Sequence, residues 1–187
     1  MTQARRRLEL RNRLFDLIRE QSFRRGRFTL ASGKESIYYF DSKPTMLNPE
    51  GAAILAELIL IELDGVKADC VGGLEMGAVP MIAPVAMLSY EAGRPLVGFF
   101  VRKAPKDHGT KQRIEGLNVT GRNAVILEDV TTTGASAMQA VEEVRAAGGS
   151  VALVLSILDR EEGARELYAA AGIPFKSLFR AEEFLAA

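Results

Sequence analysis

The chain has 187 residues, 48% of them hydrophobic, which suits one domain with a single sizeable core. Twenty-four Lys and Arg balance 24 Asp and Glu, so there is no basic excess of the kind a general nucleic-acid binder needs, and phosphate recognition must be local. The only cysteine, Cys70, has no internal disulfide partner, and neither a secretory signal nor an apolar run of bilayer length is visible; a reducing cytoplasm is expected, and a membrane is not.

Near the start, Leu10, Leu14, Leu17 and Ile18 recur at helical spacing and predict a docked amphipathic helix. Arg5, Arg6, Arg7, Arg11 and Arg13 admit a second reading of this segment, as a targeting peptide or a nucleic-acid arm. Glu9, Asp16 and Glu20 interrupt the basic run and favour a solvated arginine face. After Gly26, the β-prone runs Arg27–Leu30 and Ser36–Phe40 flank a turn containing Gly33 and predict a hairpin. Asn48-Pro49-Glu50 supplies an N-cap, a first-turn proline and an early acid for a helix running to Leu63.

Strand-length and helical apolar stretches then alternate: Asp69–Gly72, Val79–Glu91, Leu96–Arg102, Ala124–Asp129, Ala135–Ala147 and Val151–Leu158. A helix over Glu161–Ala171, a strand near Phe175–Phe179 and a closing helical turn follow. This alternation predicts an α/β fold, a parallel sheet flanked by helices on both faces, without a linker that divides it. Ligands of such sheets bind beyond the carboxyl ends of the strands.

Three loops at those ends carry unusual residues. The strand Ala124–Leu127 runs into Glu128 and Asp129, then into Val130, Thr131, Thr132, Thr133, Gly134, Ala135 and Ser136 as a helix opens. Hydroxyls and backbone N–H groups at a helix start can wrap a phosphate monoester. Two carboxylates beside it would repel phosphate unless they accept hydrogen bonds from the vicinal hydroxyls of the attached ribose. The plainer alternative, a strand end followed by a capped helix, does not account for the whole order of residues. That order resembles the motif for phosphoribosyl pyrophosphate (PRPP) in type I phosphoribosyltransferases.

The second loop, Arg102 to Gly116, holds Lys103, Lys106, Lys111, Arg113 and the only histidine, His108. By itself it reads as a solvated charge run; after a strand beside the acid pair, its cations can neutralise a departing pyrophosphate and exclude water. Its Arg-Lys-x-x-Lys-Asp-His-Gly pattern resembles the catalytic loop of orotate phosphoribosyltransferases. The resemblance spreads from Phe28-Thr29-Leu30-x-Ser32-Gly33 and Tyr38-Tyr39-Phe40-Asp41 to Leu158-Asp159-Arg160, over roughly residues 14–165.

It implies a type I phosphoribosyltransferase fold in one domain, with residues 1–45 as an N-terminal helix and hood hairpin and 46–180 as the α/β core. It also implies a homodimer whose lid serves the neighbouring subunit. Arg102, Lys103, Lys106 and His108 fall where the family contacts pyrophosphate, with Lys103, Lys106 and His108 as catalytic cations. Glu128 to Ser136 fall where it holds ribose and 5-phosphate, and Thr132 and Arg160 where it holds orotate. An arginine there can pair bidentately with orotate's carboxylate and ring oxygen; its alternative is an ordinary residue at a helix start. Tyr39 and Phe40 can stack on the base or simply face the core.

The reaction implied is displacement at the anomeric carbon, orotate N1 attacking as pyrophosphate leaves through an oxocarbenium-like state. Mg2+ would arrive on PRPP, since no cluster of Asp and His is spaced as a fixed metal site. The third loop, Gly72-Gly73-Leu74-Glu75-Met76-Gly77, is placed to approach pyrophosphate through backbone. Met76 and Gly77 stand where some relatives have an aromatic residue and a lysine, Ala31 stands where a subset has a lysine, and Pro105 stiffens the lid relative to members lacking it. Two rivals remain: a phosphoribosyltransferase for another base, and a PRPP-sensing regulator that binds nucleic acid or a protein. A kinase-type Gly-x-x-x-x-Gly-Lys-Ser/Thr loop does not occur.

Overall fold

A computed structural model describes residues 2–29, 33, 35–104 and 113–186. The first helix, α1 (Gln3–Gln21), buries Leu10, Leu14, Leu17 and Ile18. Each such aliphatic side chain contributes about 1.5–3 kcal/mol on burial, which outweighs anything the solvated face can add. Its arginines are nevertheless engaged: Arg6 pairs with Glu57, Arg7 with Glu62, Arg11 with Glu183 and Arg13 with Glu50. The docked helix with a paired outer face is the arrangement found.

Strands β1 (Phe23–Thr29) and β2 (Glu35–Phe40) form the hairpin, antiparallel, with a register irregularity between Arg25 and Phe28. β1 starts earlier than the sequence predicts because Phe23 pairs with Phe40 and packs on Tyr38 and Phe184. A short helix, α2 (Lys43–Met46), was not foreseen; its four residues carry no periodicity to read. Helix α3 (Pro49–Glu62) begins as predicted, with Asn48 Oδ1 accepting from the N–H groups of Glu50 and Gly51 at 2.9 and 3.2 Å.

Strands β3 (Cys70–Gly72), β4 (Val97–Val101), β5 (Ile114–Gly116), β6 (Asn123–Thr131), β7 (Ser150–Asp159) and β8 (Phe175–Arg180) form one sheet in the order β5-β4-β3-β6-β7-β8. β4, β3, β6, β7 and β8 are mutually parallel; β5 returns antiparallel on the edge of β4, so the sheet is mixed rather than purely parallel. Three residues with one apolar side chain gave no strand signal for β5. Helices α4 (Val79–Glu91), α5 (Ala135–Ala146), α6 (Ala164–Ala170) and α7 (Ala181–Ala186) complete the chain.

Alternation along β6 divides the core. Val125 and Leu127 face the cluster built with α1, α3 and α4, while Ala124 and Ile126 face the one built with α5 and Tyr168 of α6. Cys70 is fully buried, and burial followed by the charge of Asp69 pushes its thiol up to about 11, so it packs as a small apolar side chain. Among the described residues no helix is long and apolar enough to cross a membrane.

Candidate active site

The central strand β6 delivers its two acids at its carboxyl end. Glu128 is 8% exposed and its Oε2 is buried without a hydrogen-bond partner. Burial, then the neighbouring charge of Asp129 and a hydrogen bond within the acid pair, raises its pKa well above the ordinary 4.5, with Lys103 opposing weakly. Asp129 is oriented instead: its Oδ2 accepts a 2.5 Å hydrogen bond from Ser42 Oγ, a buried residue just before α2. On its other side the backbone of Gly77 comes so close that a Cβ there would lie 2.5 Å from Asp129 Oδ1. The third loop therefore rests directly on the acid pair, and only glycine permits it.

Beyond the acids, Thr131 is the buried last residue of β6, Thr132 is half-buried, and Thr133, Ala135 and Ser136 are exposed where α5 opens. Gly134 holds a left-handed turn at φ +86°, and a Cβ on it would stand 2.9 Å from Tyr168 Cζ. Tyr168 Oη donates to the Gly134 carbonyl at 3.3 Å; burial pushes that phenol up to about 12, which keeps it a donor. Glu128, residues 130–136 and Tyr168 together line a small polar pocket. The first N–H groups of α5 lack helical acceptors there, as at any helix start.

Next to this loop stands Arg160, whose backbone N–H donates to the Thr131 carbonyl at 2.9 Å. Its side chain is only 9% exposed. The guanidinium carbon lies 4.5 Å from the centroid of the Tyr38 ring, Nε donates to Glu162 Oε1 at 2.8 Å, and Nη2 reaches Ser36 Oγ at 3.5 Å. The turn is held by Asp159, which accepts from Glu161 N and from Arg165 Nε, both at 2.8 Å. With Glu161 at φ +60°, the helix predicted from residue 161 starts only at Ala164. Tyr39 is 42% exposed and lies against Phe28, whereas Phe40 turns into the core near Phe184, as strand alternation requires.

The stem of the second loop is fastened to the third. Glu75 N donates to the Val101 carbonyl at 2.8 Å, and Glu75 Oε1 accepts from Lys103 N at 2.9 Å. The Glu75–Met76 peptide is cis; Met76 is exposed and Gly77 half-buried. Arg102 is half-buried, 4.0 Å from Glu115, and Lys103 is exposed. Arg113 points elsewhere: it donates to the carbonyls of Arg102 and Lys103 and pairs with Glu143 of α5 at 2.7 Å, which makes it a clamp on the stem. Lys106 and His108 lie outside the described residues, as do Pro105, Lys111 and Ala31.

Ser42, Tyr38, Ser36, Glu162, Glu75 and Tyr168 were given no site role from sequence. Except for Glu162, two residues from Arg160, their partners lie far along the chain, Ser42 being 87 residues from Asp129 and Ser36 124 from Arg160. Among the described residues no group of three or more His, Cys, Asp and Glu side chains gathers as a metal site. The unpartnered Oε2 of Glu128 beside Asp129 suits instead hydroxyls and water around an ion brought by its ligand.

No family model matches the chain. The orotate phosphoribosyltransferase of Rhodopseudomonas palustris strain BisB18 is 56% identical over 179 residues, 94% of this chain and 96% of that one. Among solved structures, Mycobacterium tuberculosis orotate phosphoribosyltransferase with Fe(III) dicitrate superposes with a TM-score of 0.83 at 36% identity, covering 94% of this chain and 98% of that one. The same enzyme in complex with PRPP gives a TM-score of 0.79 at 34% identity over the same shares.

Proposed function

The chain belongs to the orotate phosphoribosyltransferase family, pentosyltransferases of pyrimidine biosynthesis, and we propose how its own residues carry the transfer of the phosphoribosyl group from PRPP to orotate N1, giving orotidine 5'-monophosphate and pyrophosphate. The observation that carries the proposal is the buried Oε2 of Glu128, an oxygen without a hydrogen-bond partner, beside Asp129 at the mouth of the threonine loop. A desolvated acceptor of this kind costs free energy until a donor arrives, and the 2- and 3-hydroxyls of a ribose supply donors.

The 5-phosphate is held by backbone and hydroxyl groups of Val130, Thr131, Thr132, Thr133, Gly134, Ala135 and Ser136 at the start of α5. The acids fix the ribose ring and stabilise positive charge as its anomeric carbon loses pyrophosphate. Arg102, Lys103, Lys106 and His108 neutralise the leaving group, and the backbone at Met76 and Gly77 approaches it from the other side. Orotate is held by Arg160 and Thr132, with the exposed Tyr39 ring nearer to the stacking role than the core-facing Phe40. Orotate's ring nitrogen is already acidic, so no general base is required of the chain.

Mg2+ carried by PRPP, held by substrate oxygens and water, supplies positive charge to the pyrophosphate oxygens when bound. The working form is a homodimer with the lid shared between subunits, in the cytoplasm. Met87 and Tyr90, on one face of α4 and 61% and 77% exposed, support a partner surface. Nucleic acid and membrane are not partners.

The assay is loss of orotate's ultraviolet absorbance with PRPP and magnesium, run beside uracil, adenine, guanine and xanthine. Consumption of orotate alone is expected. Reaction of another base would leave the PRPP site standing and remove Arg160 as base selector; reaction of none would favour the regulator. Arg160→Ala is expected to depress use of orotate far more than PRPP binding, and equal losses would count against its role.

A further inference from the structure

Arg160 is more tightly held than an arginine that merely awaits a ligand needs to be. Two segments converge on it: the distant strand β2, with the Tyr38 ring beneath and Ser36 Oγ near Nη2, and its own turn, with Glu162 at Nε. Ser36 also holds the platform, since its Oγ donates to the Tyr38 carbonyl at 2.7 Å and accepts from Tyr38 N at 3.3 Å. Tyr38 itself is only 7% exposed and rests against Phe23, so it offers Arg160 a ring held in place by packing.

We propose that Tyr38 is a positioning residue for base selection: its ring, with Glu162 as the partner of Nε, fixes the guanidinium so that its remaining N–H groups meet the carboxylate of the incoming pyrimidine. The inference rests on Arg160 being the base selector. Its physical content is pre-organisation. A guanidinium pairs bidentately with a carboxylate only in one plane and one rotation, and a free arginine loses side-chain entropy to reach them. The aromatic face sets the plane, and occupation of Nε by Glu162 leaves the terminal nitrogens for the ligand. Arg160 in turn lowers the phenol pKa of Tyr38 against a larger upward push from burial, in keeping with close contact.

The test compares KM for orotate with KM for PRPP in Tyr38→Leu, Tyr38→Phe and Arg160→Ala, with Tm measured throughout. Tyr38→Leu removes the aromatic face and raises KM for orotate about 3- to 30-fold, the range a cation–π contact supports, with KM for PRPP unchanged. Tyr38→Phe keeps the ring and retains most of the orotate affinity. Equal rises in both KM values for Tyr38→Leu, or a Phe variant as poor as Leu, overturn the proposal.

Because Tyr38 is in the core, a second pair of variants stands apart from folding. Glu162→Gln and Glu162→Ala lose the same charge from a partly exposed side chain, but only Gln keeps an acceptor for Nε. A higher KM for orotate in Ala than in Gln is expected, and no difference counts against positioning. If Arg160→Ala leaves KM for orotate unaltered, the base-selector reading falls and this inference with it. If Arg160→Ala raises it while the Tyr38 and Glu162 variants do not, only the present inference falls.

Discussion

Glu128 shows how a residue can be costly to the fold and necessary to the site. Its raised pKa means that the folded protein holds a proton more tightly than the unfolded chain, so from about the ordinary value of 4.5 upward this group lowers stability as pH rises, until it is ionised at its shifted value. Replacing it by Gln removes the charge without changing the shape. Glu128→Gln is expected to unfold at a higher temperature at neutral pH, by about 2–4 °C for each kcal/mol gained. Its turnover should fall by about 10- to 150-fold, since a charge-assisted hydrogen bond of roughly 1.5–3 kcal/mol is lost to the ribose. A Tm at or below that of the wild type would show that burial is compensated in the free protein. The same group predicts a pH effect of definite sign: KM for PRPP falls as pH rises through the shifted value, because only the ionised carboxylate accepts from both hydroxyls.

At the scale of elements, the threonine loop depends on one left-handed residue lying on one ring. Gly134→Ala places an L side chain at φ +86°, costing about 1–2 kcal/mol before the 2.9 Å approach to Tyr168 is counted. The expected outcome is a rise in KM for PRPP larger than any change in KM for orotate, with a modest loss of Tm; an unchanged KM for PRPP would mean that the loop tolerates another turn. This loop was legible in the sequence because strand, acids, threonines, glycine and helix follow one another within thirteen residues. The long parallel strands and capped helices were legible for the same reason, each being defined by local periodicity. What was hidden depends on distance: Ser42 on Asp129, Tyr38 under Arg160, Glu75 on Lys103. β5 was hidden differently, since it is a strand only because the stem of the charged loop returns beside β4, and Arg113 looked like one more lid cation until Glu143 claimed it.

For the whole molecule, a formal charge of zero conceals opposed local patterns. The basic N-terminus is matched by acids on α3 and α7, which removes the charge a nucleic-acid arm would need. Lys103, exposed at the stem of the charged loop, lies within electrostatic reach of the buried Glu128, where its charge is available to an anionic ligand. If that loop serves the neighbouring subunit, Lys106→Ala and Glu128→Gln damage different chains of the same site. Each variant alone should lose turnover strongly while keeping its fold. Mixed and allowed to exchange, they should form hybrid dimers with one doubly damaged site and one intact site, restoring about a quarter of wild-type activity if subunits assort at random. If each lid covers its own subunit, both sites of every hybrid stay defective and mixing restores nothing. Recovery on mixing, followed against subunit concentration, thus tests the dimer, the shared lid and the division of labour between lysine and carboxylate in one measurement.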